Sequence, residues 1–147
     1  MAVNFKQNQD MSGGLQGTDM DDGGFVIVTM PWSAITNTTG AFLTVSGPTM
    51  ARRMIVKDIR HVVDTTATNA VTATFYKAAS GTALGSGTAL HSGTASLQAT
   101  AATPVTLTLS TTSGVCDVAA GSRIGFVISG APGAAGVGSF TVTLAPA

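Results

Sequence analysis

Short runs in which apolar residues alternate with threonine and other small residues are the dominant pattern of this sequence. In the run Val71-Thr-Ala-Thr-Phe-Tyr, the alternate residues Val71, Ala73 and Phe75 lie on one face of an extended chain. The same alternation recurs in three later segments: Val105, Leu107 and Leu109; Ile124, Phe126 and Ile128; and Phe140, Val142 and Leu144. Because successive side chains of a strand point to opposite faces, a period of two predicts strands that bury one side.

The composition supports an all-β fold. All seven acidic residues are aspartate, and only 10% of the residues are charged. Threonine and valine, which are stiff at the first side-chain torsion, suit a pleated sheet better than a helix. Clusters of Gly, Ser, Pro, Asn and Asp separate the runs, as expected between strands. About seven or eight strands of this kind predict a jelly-roll-like, two-sheet β-sandwich.

The segment from Arg52 to Val63 is ambiguous between helix and strand. Its apolar residues include Ile55, Ile59 and Val62, whose spacing also fits one face of a helix. We predict a strand, because the Thr-rich continuation lacks a helix cap and leads directly into Ala67-Thr-Asn-Ala, which reads as a hairpin turn.

A six-residue repeat occupies residues 80–97, which read SGTALG-SGTALH-SGTASL. A parallel β-helix needs several stacked coils to bury a core, and three copies are too few. The repeat therefore predicts short strands joined by Ser-Gly turns. Its small side chains would allow another strand or subunit to approach closely.

The first 24 residues differ from the rest of the chain. They contain four aspartates and five glycines, and their isolated apolar residues Phe5, Met11, Leu15 and Met20 follow no period of 2 or 3.6. Such a segment cannot by itself offset the cost of ordering its backbone, which is about 1–2 kcal/mol per residue. We therefore predict an extended N-terminal docking arm at residues 1–24 and a β-sandwich domain at residues 25–147.

The histidines and the cysteine do not suggest a catalytic site. A Ser-His-Asp hydrolase requires a nucleophile on a sharp turn, a base and an orienting acid, and Gly85-Ser-Gly lacks the spacing of that turn. His61 lies on a predicted strand and is interpreted as a surface or half-buried residue, and His91 is interpreted as a loop residue. Cys116 is interpreted as a small buried hydrophobe. The sequence therefore predicts a protein that is not an enzyme.

No metal ion or cofactor is expected. Asp19-Met-Asp-Asp-Gly-Gly matches a calcium-binding loop poorly, because Gly23 and Met30 occupy positions where oxygen ligands are required. One cysteine and two distant histidines do not supply four zinc ligands. The glycines of Gly133-Ala-Ala-Gly-Val-Gly are in the wrong order for a dinucleotide-binding turn.

Charge and hydropathy limit the possible partners. Net charge is zero and aromatic residues make up 5% of the chain, which argues against nucleic-acid binding. The basic cluster of Arg52, Arg53, Lys57 and Arg60 instead suggests contact with an acidic partner surface. No apolar run approaches the ~18 residues that a membrane-spanning helix needs. The start of the chain lacks the pattern of a secretory signal, and the single cysteine fits synthesis in a reducing cytoplasm.

Three phrases of the sequence resemble a known family. They are TATFYKAASGTALGSGTAL, PVTLTLSTT and AAGSRIGFVISG, within the range from Ile55 to Leu144. They are similar to the β-sandwich decoration, or cement, proteins of tailed-bacteriophage heads and to related phage structural modules. The resemblance implies a virion protein on the capsid exterior, made in the host cytoplasm. It further implies a homotrimer that binds the major capsid protein and clamps neighbouring subunits.

Two functional hypotheses other than an enzyme follow from these observations. For a capsid decoration protein, the candidate contact residues are apolar or basic: Phe5, Lys6, Met11, Leu15, Met20, Arg52 and Arg53. For a tail-fibre or baseplate module that binds a host glycan, Trp32 and Tyr76 would have to be exposed close to one another. An enzyme would instead require His61 or His91 in a deep pocket beside an aspartate, with a perturbed pKa.

Deletion of residues 1–24 tests the predicted division of the chain. We expect the shortened protein to keep a cooperative thermal unfolding transition, because the alternating runs all lie after residue 24, and to lose its binding to capsids. Circular dichroism melting and co-sedimentation measure the two properties. A shortened protein without a cooperative transition would contradict the division.

Overall fold

The computed structural model describes residues 25–33, 43–130 and 136–147. These residues form ten β-strands: β1 Val26–Ser33, β2 Leu43–Thr49, β3 Met54–Thr65, β4 Thr72–Ala78, β5 Thr88–Ala89, β6 Ala95–Ser96, β7 Val105–Thr106, β8 Asp117–Val118, β9 Arg123–Ser129 and β10 Val137–Pro146. A 3-10 turn, Leu84–Ser86, lies between β4 and β5. No helix in the described ranges is long and apolar enough to cross a membrane.

The strands form two antiparallel sheets with a jelly-roll order. The first sheet has the order β1-β10-β3-β7, and β8 also pairs with β3; the second has the order β2-β9-β4-β5, and β6 also pairs with β4. Since β7 and β8 share one edge of β3, and β5 and β6 share one edge of β4, each pair occupies one strand position. The eight positions then follow the double Greek-key order of a jelly roll. The predicted fold class is confirmed.

Aromatic rings from both sheets meet in the centre of the sandwich. Phe75 of β4 is the cross-strand partner of Phe126 of β9, and His61 of β3 is the partner of Phe140 of β10. The ring centroids of Phe126 and Phe140 are 4.5 Å apart across the two sheets, and those of Phe75 and Phe140 are 5.7 Å apart. The alternating runs supply these side chains, so the inward faces predicted for β4, β9 and β10 are confirmed.

A β-bulge interrupts the period of two within β3. The register of β3 against β10 shifts between Asp58 and Val56, so Lys57 is an extra residue. The buried side chains therefore fall at Val56 and then at Ile59, three positions apart instead of two. The strand prediction is confirmed, but the predicted hairpin is wrong, because β3 and β4 belong to different sheets and residues 67–70 cross between them.

The first strand contains a proline, Pro31, within its length. The chain continues through Pro31 to Ser33 in full register with β10. Proline is compatible with this position because β1 is the edge strand of its sheet, where one side of the backbone needs no ladder hydrogen bond.

The six-residue repeat forms short strands and turns, as predicted, and it supplies core leucines. Leu84 and Leu90 are buried at the six-residue spacing. Gly93 has a φ of +71°, a left-handed conformation that favours glycine. After this turn the inward positions shift by one residue, so that Ala95 and Leu97 are buried instead of Ser96.

The repeat also closes one side of the sandwich. The backbone N–H of Leu90 donates to the carbonyl of Phe75 (2.9 Å), and that of Ser110 donates to the carbonyl of Leu90 (2.9 Å). The N–H of Leu107 donates to the carbonyl of Ile59 (2.8 Å). A continuous series of hydrogen-bonded segments thus connects β4 of the second sheet to β3 of the first.

Replacement of Phe140 tests the importance of the aromatic centre. Phe140→Ala removes the ring that contacts three others, and a buried Phe→Ala change typically costs about 3–5 kcal/mol. We expect a decrease of that size in the free energy of unfolding, measured by urea denaturation. Thr141→Ala, at the next position and on the outer face, is the control and should change stability by less than about 1 kcal/mol.

Candidate functional site

Apolar side chains are exposed where the predicted arm joins the sandwich. Phe25, which immediately precedes the edge strand β1, is 63% exposed, and Ile27, the second residue of β1, is 67% exposed. Val26 and Val28 alternate with them and point towards the interior, where they pack against the core. The first half of β1 is therefore apolar on both faces, which is unusual for an edge strand in contact with water.

An apolar cleft lies beside this half of β1, between the two edge strands β1 and β2. Its volume is about 230 Å³. The wall residues are mostly apolar and come from β1, β2, β3, β10 and the β2–β3 connection: Val26, Val28, Pro48, Met50, Met54 and Leu144. Arg52 also lines the cleft and is the one charged residue among the described residues of its wall. The apolar walls of the cleft can accept an apolar side chain of a partner. The positive charge of Arg52 favours a carboxylate of the partner next to that side chain.

The predicted basic cluster is partly neutralised within the protein. Arg53 Nε donates to Asp117 Oδ1 at 2.9 Å, and the guanidinium lowers the pKa of the Asp117 carboxyl through this hydrogen bond. Arg60 forms an ion pair with Asp58, with 2.6 Å between Nε and Oδ2. Of the two basic candidate contact residues, Arg52 therefore lies at the cleft and Arg53 at a neighbouring ion pair. The other five candidates, Phe5, Lys6, Met11, Leu15 and Met20, lie outside the described residues.

The two aromatic residues of the glycan hypothesis do not lie together at the surface. Trp32 is 3% exposed and belongs to the core. Its ring packs on Gly138, where an added Cβ would lie 2.9 Å from the indole. Tyr76 is half-buried and lines a shallow groove of about 400 Å³ on the outer face of the second sheet. The hydroxyl-bearing residues of this groove include Thr44, Thr74, Ser86 and Ser129.

Both histidines are buried, which corrects the interpretation of His61 as a surface or half-buried residue. His91 lies between β5 and β6, outside the named strands, as expected for a loop residue. His61 is 1% exposed and His91 is 5% exposed. His91 Nε2 accepts the backbone N–H of Phe75 at 3.0 Å, and its Nδ1 lies 3.3 Å from the carbonyl oxygen of Ser92. Since Nε2 is an acceptor, His91 is neutral and carries its hydrogen on Nδ1.

Burial also keeps His61 neutral. Its ring packs on Phe140 with 5.5 Å between centroids, and its Nδ1 has no hydrogen-bond partner among the described residues. Burial lowers the pKa of both histidines, and the charge of His91 would lower that of His61 further. No carboxylate contributes to either pKa shift. The lowered pKa values therefore result mainly from burial. A histidine beside an aspartate, which the enzyme hypothesis requires, is not the cause.

Two basic residues that the sequence analysis did not single out hold loops in place. Lys77 Nζ donates to the carbonyls of Gly114 (2.7 Å) and Asp117 (2.6 Å). Arg123 Nη2 donates to the carbonyl of Thr82 (2.6 Å). Patterns within a short stretch of sequence cannot predict these contacts, because donor and acceptor are about 40 residues apart in the chain.

Cys116 is half-buried and poorly suited to act as a nucleophile. Its Sγ lies 3.6 Å from the carbonyl oxygen of Leu90 and 3.7 Å from that of Ser110. Burial raises the pKa of the thiol, so less thiolate is present at neutral pH. The thiol thus packs against the repeat at Leu90 and against the loop that contains Ser110.

Comparison with known proteins gives weak similarities. No protein-family model matches the sequence, and no curated protein matches it. A chain in the structure of infectious bursal disease virus, Gx strain, is 20% identical over 84% of this chain and 32% of that chain, with a TM-score of 0.40. A chain in the structure of T=1 particles derived from infectious bursal virus is 11% identical over 85% of this chain and 40% of that chain, with a TM-score of 0.30. This chain spans less than half of either.

The buried histidines predict loss of stability in weak acid. Their pKa values in the folded protein lie below the ordinary value of about 6.5, so the unfolded chain binds more protons below that pH. The free energy of unfolding should therefore fall as the pH drops below about 6.5, by at most about 1.4 kcal/mol per pH unit for each histidine. Urea denaturation between pH 7.5 and pH 5 measures this dependence.

A variant separates this effect from general acid sensitivity. His61→Leu should reduce the pH dependence by about one proton, since it removes one titrating group and leaves an apolar side chain in an apolar site. Lys57→Leu introduces the same side chain at an exposed position of the same strand, leaves both histidines in place and should keep the full dependence. An unchanged slope in His61→Leu would show that His61 does not contribute.

Proposed function

We propose that this protein is a non-enzymatic structural protein of a virion. In this proposal it binds the outer surface of a tailed-phage capsid as a homotrimer and stabilises contacts between major capsid subunits. Jelly rolls are used by viral capsid proteins and by lectins, so the fold is compatible with this role without specifying it. The exposed apolar residues Phe25 and Ile27, located where the predicted arm joins the sandwich, carry the proposal.

These residues form a surface that gains free energy when a partner covers it. A fully buried side chain of this size contributes about 1.5–3 kcal/mol. The sandwich behind them is rigid because its interior is filled by aromatic rings, so little backbone order is lost when this surface docks. The predicted arm adds further apolar contacts but loses conformational entropy on docking.

Trimer formation would convert weak individual contacts into stable attachment. Each linked copy experiences a high effective concentration of its own site once a neighbouring copy has bound. A decoration protein of this kind needs no reaction chemistry. It requires a rigid body, a shallow contact surface and symmetry that matches the capsid.

A glycan-binding module remains the second candidate, supported by the groove around Tyr76. A half-buried aromatic ring surrounded by hydroxyl groups can pack against a sugar and form hydrogen bonds with it. This version of the hypothesis relies on Tyr76 alone, because Trp32 is in the core. Binding of the protein to a glycan array, and its loss in Tyr76→Ala, would favour this candidate.

Co-sedimentation with capsids tests the proposal. Purified protein is mixed with phage heads that lack it, and its mass in solution is measured by light scattering. We expect saturable binding at a fixed ratio to the major capsid protein. Ile27→Asp places a charge in the exposed apolar surface and should weaken binding by at least about ten-fold, whereas Thr111→Asp, in an exposed loop on the closed side, should not.

The outcomes separate the two candidates. Absence of binding to heads, together with glycan binding, would favour the lectin-like module. Equal binding by Ile27→Asp and the unmodified protein would rule out the exposed part of β1 as the contact surface.

A further inference from the structure

A histidine side chain completes the edge of β4 that faces away from β9. β5 pairs with residues 76–77 of this edge, and β6 pairs with residues 72–73. Between these two pairings, the backbone N–H of Phe75 donates to Nε2 of His91 at 3.0 Å. The imidazole thus takes the place of the carbonyl group that a neighbouring strand would supply.

The β5–β6 connection, residues 90–94, also contacts the segment that leads away from β7. His91 forms an isolated antiparallel bridge with Leu109, and the N–H of Ser92 donates to the carbonyl of Thr108 at 2.9 Å. His91 therefore lies between β4 and this segment, on the closed side of the sandwich.

Only a neutral imidazole can make the contact with Phe75. Protonation places a hydrogen on Nε2, so that two N–H groups face each other and the amide of Phe75 loses its acceptor. The new charge is buried, and residues 105–110 on the other side of His91 contain no charged side chain. A buried donor without an acceptor and a buried charge without a partner both destabilise the closed arrangement.

The other titratable groups near the β5–β6 connection do not compensate for this charge. His61 of β3 is a second buried imidazole, and the charge of His91 lowers its pKa. Burial raises the pKa of the Cys116 thiol, so the thiol stays neutral in weak acid. Lys77 of β4 is a cation, and the carboxylate of Asp117 is already bound to a guanidinium. No carboxylate contributes to the pKa shift of His91.

His91 can reach water while both sheets stay intact. The three residues that follow it, Ser92-Gly93-Thr94, are exposed, and Gly93 has a φ of +71°. A change of backbone conformation at this turn moves the imidazole outwards, while β4 keeps its pairing with β9. His61 differs, because β3 pairs with a strand on each side of it and the ring leaves the core only when the sheet separates.

We propose that His91 is a pH-sensitive switch: the neutral imidazole holds the β5–β6 connection on the edge of β4, and its protonation in weak acid shifts the connection to an opened state while the aromatic centre stays packed. In the opened state the histidine has its ordinary pKa of about 6.5, so that state binds a proton more readily than the closed one. Opening therefore becomes more favourable as the pH falls below about 6.5. A single proton limits the effect to about 30-fold between pH 7.5 and pH 5.

Amide hydrogen exchange, followed by NMR on the full-length protein at pH 7.5 and pH 5, tests the proposal without a capsid. Protection factors are compared, because they remove the intrinsic effect of pH on exchange. We expect the amides of Phe75 and Ser92 to lose about 10- to 30-fold of their protection at pH 5. At that pH they should be less protected than Val142, whose strand β10 pairs on both sides and opens only with the whole domain.

His91→Gln is the matched variant, because the side-chain amide oxygen of glutamine can accept the N–H of Phe75 but does not titrate. In this variant the protection of the Phe75 amide should be the same at both pH values. His61→Leu is the control: it removes the other buried imidazole, and the amide of Phe75 should keep its pH dependence.

Three results would overturn the proposal. The first is constant protection of Phe75 between pH 7.5 and pH 5 in the unmodified protein. The second is equal protection of Phe75 and Val142 at pH 5, which would show that the β5–β6 connection opens only when the whole domain unfolds. The third is an undiminished pH dependence in His91→Gln, which would assign the titration to another group. The first two comparisons need only the unmodified protein, so they decide even if the variant does not fold.

Discussion

The contact between Phe126 and Phe140 is the interaction on which the rest of the structure depends. The two rings belong to different sheets and approach to 4.5 Å between centroids. Phe75 and His61, as their cross-strand partners, extend the contact to both sides. Each sheet alone would expose a broad apolar face, so neither is stable without the other. The packing of these rings holds the sheets together and thereby positions the loops at their edges.

The two sides of the sandwich are closed in different ways. On one side, the repeat and the segment around Leu107 connect β4 to β3 through backbone hydrogen bonds. On the other, the edge strands β1 and β2 leave an apolar cleft between them. The closed side requires no partner, whereas the open side lowers its free energy when it is covered. The proposed capsid contact therefore concerns the open side.

Several features of the candidate surface were predictable from the sequence, and others were not. The basic cluster pointed to Arg52, which lines the cleft. The docking arm before Phe25 and the contact of Arg52 with a partner stay predictions. The ion pair of Arg53 with Asp117 was not predictable, because the two residues are 64 positions apart in the chain. The burial of Trp32 depends on Gly138, which has no side chain to displace the indole.

The sequence by itself determined the strand type and the inward residues, because a period of two in apolar residues can bury only one face of an extended chain. Tertiary structure decided which strands are neighbours and which are edges. It placed an extra residue at Lys57, which broke the period, and it allowed Pro31 within an edge strand. It also placed His61 and His91 in the core, because an imidazole can be buried when it stays neutral, and only packing from distant strands excludes water from it.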